Sequence, residues 1–298
     1  MESEAELELR QMIFDRLARR VEEKGALTRE ELTEFEVGAE TYRLIDRNKG
    51  IWNPAQLAAT LSILSKPDSP YEDAEFSDSL YAYAYREGSV QGDNTKLRRA
   101  YELNMPIILL RWIKIGTAIR YVPVFPVYVI ADDTKRQRFI LALDETFRDI
   151  PDVLNLKPIE RKYAQRLTTQ RLHQPEFRGR VLLAYDHRCA ICDVGHTQLL
   201  DAAHIVADSK ENGTADVSNG LSLCKIHHAA YDANLIGISP EYTILVGAKL
   251  MHDRREGSML RHGLQEINGQ HLTLPQRRKD WPATERLEER FAEFETAS

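Results

Sequence analysis

All three cysteines of this 298-residue chain fall between positions 189 and 224, and no other feature of the sequence restricts the fold so tightly. Cys189-Ala-Ile-Cys192 and Cys224-Lys-Ile-His227 form a C-x2-C pair and a C-x2-H pair with 31 residues between them. Two short chelating pairs close a tetrahedral shell, which is how structural zinc is held. Thiolate and imidazole donors suit Zn2+, whereas Mg2+ and Ca2+ select oxygen. The segment from 189 to 227 is therefore expected to fold around Zn2+. A low, odd cysteine count points to a reducing compartment without a disulfide framework. The start, MESEAELELR, is acidic where a signal peptide is basic and then apolar, so the expectation is a cytoplasmic protein.

A composition of 43% hydrophobic and 29% charged residues excludes a disordered chain, a collagen and a small disulfide scaffold. At about 150 residues per domain, two domains are expected. The most apolar stretch, Tyr121 to Ala131, is 11 residues long and contains two prolines. A membrane span needs roughly 18, so none is expected. The net charge of −6 argues against a nucleic-acid partner only until its location is considered. Residues 1–40 carry 12 acidic and 6 basic side chains, which leaves the rest of the chain neutral. Between 157 and 188, the 8 basic residues Lys157, Arg161, Lys162, Arg166, Arg171, Arg178, Arg180 and Arg188 stand against 3 acids. A phosphate backbone could sit on this stretch, which runs up to the first cysteine pair.

The first 40 residues read as two helices, the first ending near Gly25 and the second opened by a Thr28–Glu31 capping box. From about 50 to 150 the pattern is of short strands. Ser79 to Tyr85 alternates strictly, which places Tyr81, Tyr83 and Tyr85 on one face. Asn94 to Glu102 reads as a helix, and Ile107 to Leu110, Tyr121 to Ala131 and Arg138 to Leu143 as strands. Pro123 and Pro126 mark the middle one as an edge or bulged strand. Several strands around one helix predict an α+β, barrel-like domain over 1–155. A basic helix from Leu156 to about Leu172 opens a second domain over 156–298, which ends in a helix from Thr284 to Phe294.

Between the two chelating pairs lie Asp201-Ala-Ala-His204-Ile205 and Asn219-Gly220-Leu221, and His228 follows the last zinc ligand directly. Here the chain resembles the HNH endonucleases of the ββα-metal fold. The resemblance is closest to the branch reading A-A-H-I, then N-G-L-x-L-C-x-x-H-H-x-x-x-D. Ala202 to Ile205, Asn219 to Cys224, His227-His228 and Asp232 match it position by position. Phosphodiester hydrolysis needs an activated water, a cation on the phosphate and a fixed geometry. His204 is the expected general base, since a neutral imidazole near pH 7 can take a proton from water. The resemblance implies that His228 binds one divalent ion, Mg2+ or Mn2+. Asp232, one helical turn later, is the expected second ligand. Asn219 is expected to brace the loop or to orient the base histidine. Many HNH enzymes carry a metal ligand immediately before the base histidine, where this chain has Ala203. Asp201, on the same strand face, is the candidate substitute.

Tyr71-Glu72-Asp73, the strand at 81–85 and Asp93-Asn94-x-x-Leu97-x-x-Ala100 occur in an order that resembles the SRA domain, of PUA-like barrel architecture. That resemblance implies recognition of 5-methylcytosine flipped out of duplex DNA. A flipped base needs aromatic plates and an acceptor for its amino group. Tyr71 with Tyr83 or Tyr85 are the candidate plates, and Asp73 is the candidate acceptor. Together the two resemblances imply a type IV-like, modification-dependent restriction endonuclease acting on double-stranded DNA. Each HNH site cuts one strand, so a homodimer is expected. Two alternatives stay open: a reader of another modification (hydroxymethylcytosine or phosphorothioate), or a non-cleaving, zinc-stabilised DNA-binding module.

Overall fold

The computed structural model describes residues 3–66, 74–75, 80–86, 92–148, 158–208, 210, 213–255 and 257–297. Tyr71 and Asp73 lie outside the described residues. The chain divides into two compact units, Met1–Glu176 and Phe177–Ser298. Among the described residues no helix is long and apolar enough to cross a membrane.

The first unit opens with α1 (Ser3–Lys24) and α2 (Arg29–Thr33). Both halves of the Thr28–Glu31 capping box form. Ile13, Phe14 and Leu17 recur at helical spacing and are buried in this unit's own core. A fully buried Arg10–Glu6 pair pins α1 at 2.6 Å, with the guanidinium also donating to the carbonyls of Ala59, Thr60 and Pro106. The inner face of the first helix is thus spent on its own unit.

A small hairpin, β1 (Phe35–Val37) and β2 (Glu40–Tyr42), precedes the main sheet. That sheet contains β3 (Ile51–Trp52), β4 (Ser62–Ser65), β5 (Ala74–Glu75), β6 (Tyr81–Ala84), β7 (Ile107–Ile115), β8 (Ala118–Asp133) and β9 (Arg138–Ala142). Its order is β3-β4-β7-β8-β9-β6-β5, with only β4 and β7 parallel. Helix α3 (Asp93–Glu102) buries Asn94, Leu97 and Ala100. Both faces of β7 are covered: Ile107 and Leu109 enter the core that holds Leu97, while Ile108 and Leu110 join Ile13 and Leu17. A strand buried on both faces reads as a continuous apolar run, which is why Ile107 to Leu110 shows no alternation.

β8 is central rather than an edge. Its first part pairs with β7 and its last with β9, and the register slips at Ile107/Leu109 on one side and Val129/Ala131 on the other. Such irregularities increase local twist and bend a strand. The result is a curled seven-stranded sheet; among the described residues β3 and β5 do not pair with each other.

The basic helix α4 is longer than expected, Pro158–Ala184, and continues through Pro175. Proline costs one backbone hydrogen bond inside a helix and usually marks an end. Here Leu172 is buried in a core of the first unit, and Phe177, Val181 and Leu182 in that of the second. The second unit then forms the hairpin β10 (Leu200–His204) and β11 (Gly220–Cys224), helix α5 (Lys225–Asp232), the hairpin β12 (Ile236–Ile238) and β13 (Ile244–Val246), α6 (Ala248–Met251) and α7 (Thr284–Ala297). A Cβ on Gly220 would lie 2.4 Å from Val181 and 2.9 Å from Phe177, so α4 rests directly on the hairpin backbone. A Cβ on Gly237 would meet Phe294 at 2.4 Å, which places α7 equally close against β12.

Candidate active site

The metal knuckle is built from three local turns. After α4, Asp186 and His187 adopt left-handed backbone conformations and reverse the chain. The Cys189 amide then donates to the Val194 carbonyl at 2.9 Å, curling Cys189 and Cys192 around one point. Cys224 ends β11 and sits at the start of α5, so His227 falls in that helix's first turn. The four ligand atoms lie within 4.8 Å of one another. The Cys192–Cys224 sulfurs are 3.9 Å apart, and His227 Nδ1 is 3.5 Å from the Cys189 sulfur and 3.3 Å from that of Cys224. Zinc bonds of about 2.3 Å to sulfur and about 2.0 Å to nitrogen require edges of about 3.8 and about 3.5 Å in a tetrahedron. The donor set and its spacing therefore fit Zn2+. Hydrogen bonds with Cys189 and Cys192 draw the Cys224 thiol pKa down, which favours the thiolate. His227 Nε2 faces the Gly263 carbonyl at 2.8 Å, a bond that leaves Nδ1 for the metal.

At the other end of the hairpin, His204 pairs with Gly220. Its half-buried imidazole stacks on Phe177, with ring centroids 3.9 Å apart and planes 13° from parallel. Burial pushes its pKa below the usual histidine value, and nearby Asp208 opposes the shift. The ring is therefore neutral at pH 7, as a proton acceptor must be. A cleft of about 380 Å³ is lined by His204, His228, Asp232, Asp208, Lys210 and carboxylates of α7, Glu289 and Glu293.

His228 lies between two carboxylates. Its Nδ1 is 3.4 Å from Asp201 and its Nε2 is 3.3 Å from Asp232. The structure thus brings together His204, His228 and Asp232 at the cleft, with Asp201 behind the ring. Asn219 is fully buried and two-sided. Its Oδ1 accepts from the Val206 amide, and Nδ2 donates to the carbonyls of Val206 and Thr214, each at 2.9 Å. Both amide hydrogens are used, so none is left to offer a substrate.

In the first unit the tyrosine strand is more deeply placed than alternation suggested. The Tyr81 hydroxyl meets Ser65 at 2.5 Å and accepts from Arg111 at 3.0 Å. Tyr83 is fully buried, with the Arg86 guanidinium 3.9 Å over its ring and its hydroxyl donated to Gly50 at 2.8 Å. Neither feature leaves Tyr83 a free face for a base. Tyr85 is half-buried, packs on Phe139 at 4.8 Å, and bonds Asp132 and Arg98. Burial and Asp132 push its pKa up to about 12.

Several residues of the cleft escaped the sequence reading. Asp208 and Lys210 follow His204 closely and were open to discovery as charges beside it. Phe177 and the α7 carboxylates are remote in sequence, and nothing local marks them.

A family profile described as HNH endonuclease matches residues 189–239, the hairpin and helix that carry this geometry. The chain thus contains an HNH endonuclease domain, and with it the activity of a DNA endonuclease. Among solved structures, the chain is similar to a "Modification dependent TagI restriction endonuclease", at 14% identity over 90% of each chain with a TM-score of 0.30. It is also similar to the "Type IV phosphorothioation-dependent restriction endonuclease ScoMcrA", at 16% identity over 57% of this chain and 48% of that one, with a TM-score of 0.18. No curated protein matches.

Proposed function

We propose that this protein is a modification-dependent restriction endonuclease whose second unit hydrolyses DNA phosphodiesters and whose first unit reads a flipped 5-methylcytosine. The observation that carries the nuclease half is a half-buried, neutral-leaning His204 opening onto the cleft shared by His228 and Asp232. His204 accepts a proton from the attacking water at its imidazole nitrogen, while the Phe177 stack fixes the ring plane. A divalent ion such as Mg2+ or Mn2+, held by His228 and Asp232, supplies positive charge to the phosphate and the leaving oxygen. Asn219 acts by clamping the chain after His204, through Val206, and is a positioning residue. Cys189, Cys192, Cys224 and His227 hold zinc in a structural role.

The reader half is an SRA-like domain of the curled sheet and α3. Its support is the order of the tyrosine strand and the N-x-x-L-x-x-A helix, in which Asn94 exchanges two 3.1 Å hydrogen bonds with the Arg86 backbone. That exchange ties the helix to the strand's exit. Tyr71 and Asp73, with Tyr85 as the more exposed strand tyrosine, form the proposed base pocket. The enzyme acts in the cytoplasm as a homodimer, one active site per strand.

The test is plasmid cleavage with Mg2+ or Mn2+, comparing unmodified with cytosine-methylated DNA, with His204→Ala in parallel. The proposal requires cutting of methylated DNA only, abolished by His204→Ala while DNA binding persists. Equal cutting of both plasmids removes the methylcytosine reader. Cutting confined to hydroxymethylated or phosphorothioated DNA replaces it with another reader. Sedimentation as a single chain, with and without DNA, removes the dimer.

A further inference from the structure

We propose that Asp201 is a positioning residue, which holds the proton on Nδ1 of His228 and thereby turns a bare Nε2 toward the cleft and Asp232. The inference deepens the nuclease reading above and rests on it. Four observations separate Asp201 from the ligand role. Its carboxylate lies 3.4 Å from Nδ1, whereas Asp232 lies 3.3 Å from Nε2, so the two acids occupy opposite edges of one imidazole. An ion bound through one ring nitrogen cannot reach an acid seated at the other. Ala202, His204, His228 and Asp232 line the cleft, whereas Asp201 does not. Among the described residues the only group of three or more metal-ligand atoms close enough to share an ion is the cysteine–histidine knuckle. Finally, Asp201 pairs with Leu223, adjacent to the start of α5, which brings it under the helix turn that carries His228. Lys225, on that same helix, lies 3.5 Å from the Asp201 carboxylate.

A metal-bound histidine is commonly fixed in this way: a carboxylate takes the second ring proton, sets the tautomer and raises the basicity of the ligating nitrogen. Without Asp201 the remaining acceptor is Asp232, and the proton moves to the nitrogen that should be bare.

The experiment uses the full-length, zinc-loaded protein freed of other divalent ions. Long-range 15N–1H correlation reads the His228 tautomer above the pH at which the ring has lost its second proton, and calorimetry reads Mn2+ affinity. Wild-type His228 is expected to carry its proton on Nδ1. Asp201→Ala is expected to shift it to Nε2 and to weaken Mn2+ binding by about 10- to 100-fold. Asp201→Asn, whose amide oxygen still accepts from Nδ1, is expected to keep the wild-type tautomer and to bind Mn2+ within about threefold of wild type. The proposal is overturned by an Nε2 proton in the wild type, or by an unchanged tautomer in Asp201→Ala. A loss in Asp201→Asn as large as that in Asp232→Asn also overturns it, since that is the mark of a direct ligand. The tautomer requires no DNA, so failure of the nuclease reading would show separately, as intact Mn2+ binding without cleavage of any plasmid.

Discussion

Replacing Asn219 by aspartate exchanges one NH2 for an oxygen, yet at alkaline pH it is expected to damage the second unit more than deleting the side chain. The three bonds of Asn219 are an acceptor to the Val206 amide and two donors, to the Val206 and Thr214 carbonyls. Asn219→Ala orphans all three groups. With about 1–3 kcal/mol for each fully buried partner, and less for the partly exposed Thr214 carbonyl, the cost is about 3–5 kcal/mol. Aspartate keeps the acceptor but presents oxygen to two carbonyls, so it folds only by staying protonated. One O–H then replaces two donors, a loss of about 1–2 kcal/mol.

Protonation adds its own cost. From an unfolded pKa of about 3.9, holding the proton at pH 5 costs about 1.5 kcal/mol and at pH 8 about 5.6 kcal/mol. The total is about 3 kcal/mol at pH 5 and about 7 kcal/mol at pH 8. The sign follows from linkage: a carboxyl whose folded pKa is raised binds more protons folded than unfolded, so its stability contribution falls as pH rises. Relative to wild type, Asn219→Ala is flat with pH and Asn219→Asp crosses it between pH 5 and 8. Native-state hydrogen exchange at the β10–β11 amides reads this separately from the first unit. If Asn219→Asp matches wild-type protection at pH 8 and loses only turnover, the amide touches substrate and the clamp argument fails.

Four further outcomes are expected. Because burial lowers the His204 pKa, the acid limb of the cleavage–pH profile should lie below pH 6.5, and Phe177→Leu, which opens the stacked face to water, should move that limb upward. The same depressed pKa makes the folded state resist protonation, so His204→Gln should remove a loss of stability that sets in as pH falls through about 6.5. Stripping zinc with a strong chelator, or Cys192→Ser, should abolish the calorimetric transition of the second unit while leaving that of the first, because Cys189 and Cys224 sit within the second core. Glu289→Gln with Glu293→Gln should release Lys210, which both carboxylates engage, and tighten DNA binding by about 2- to 5-fold at low salt; fluorescence anisotropy would show it.

The second unit was the more legible in sequence because its chemistry is local. Two chelating pairs specify their own turns, and the strand ending at His204 and the helix beginning after Cys224 follow from them. Asn219 was legible as a brace, but its partners were not, since Thr214 and Val206 meet only across a folded loop. The length of α4 was hidden because Pro175 signals a stop that tertiary burial overrides. The curl of the first unit's sheet was half visible: the prolines of β8 announced an irregularity, but its central position depends on pairings with β7 and β9 that no local pattern encodes. Alternation correctly put Tyr81, Tyr83 and Tyr85 on one face and could not say that this face was the core. The arginines that cap their hydroxyls come from β7, α3 and the exit of β6.

The two braces of the catalytic hairpin sit at opposite ends and restrain different residues. Leu200 pairs with Cys224 and His204 with Gly220, so five residue pairs, about 14 Å of strand, separate the knuckle from the Asn219 clamp. Zinc in the knuckle would fix the start of α5 and therefore His228, one residue beyond the last of the four candidate ligands. Asn219 fixes the chain just after His204, and α4 lies against Gly220 between them. The proposed hydrolysis needs both histidines held at one spacing, so losing either brace should cost turnover, but by distinguishable routes. Loosening the knuckle should weaken divalent-ion binding first, because it moves His228 and Asp232 together. Loosening the clamp should leave that binding near its native strength and disperse the base, so that added metal restores the first defect and not the second.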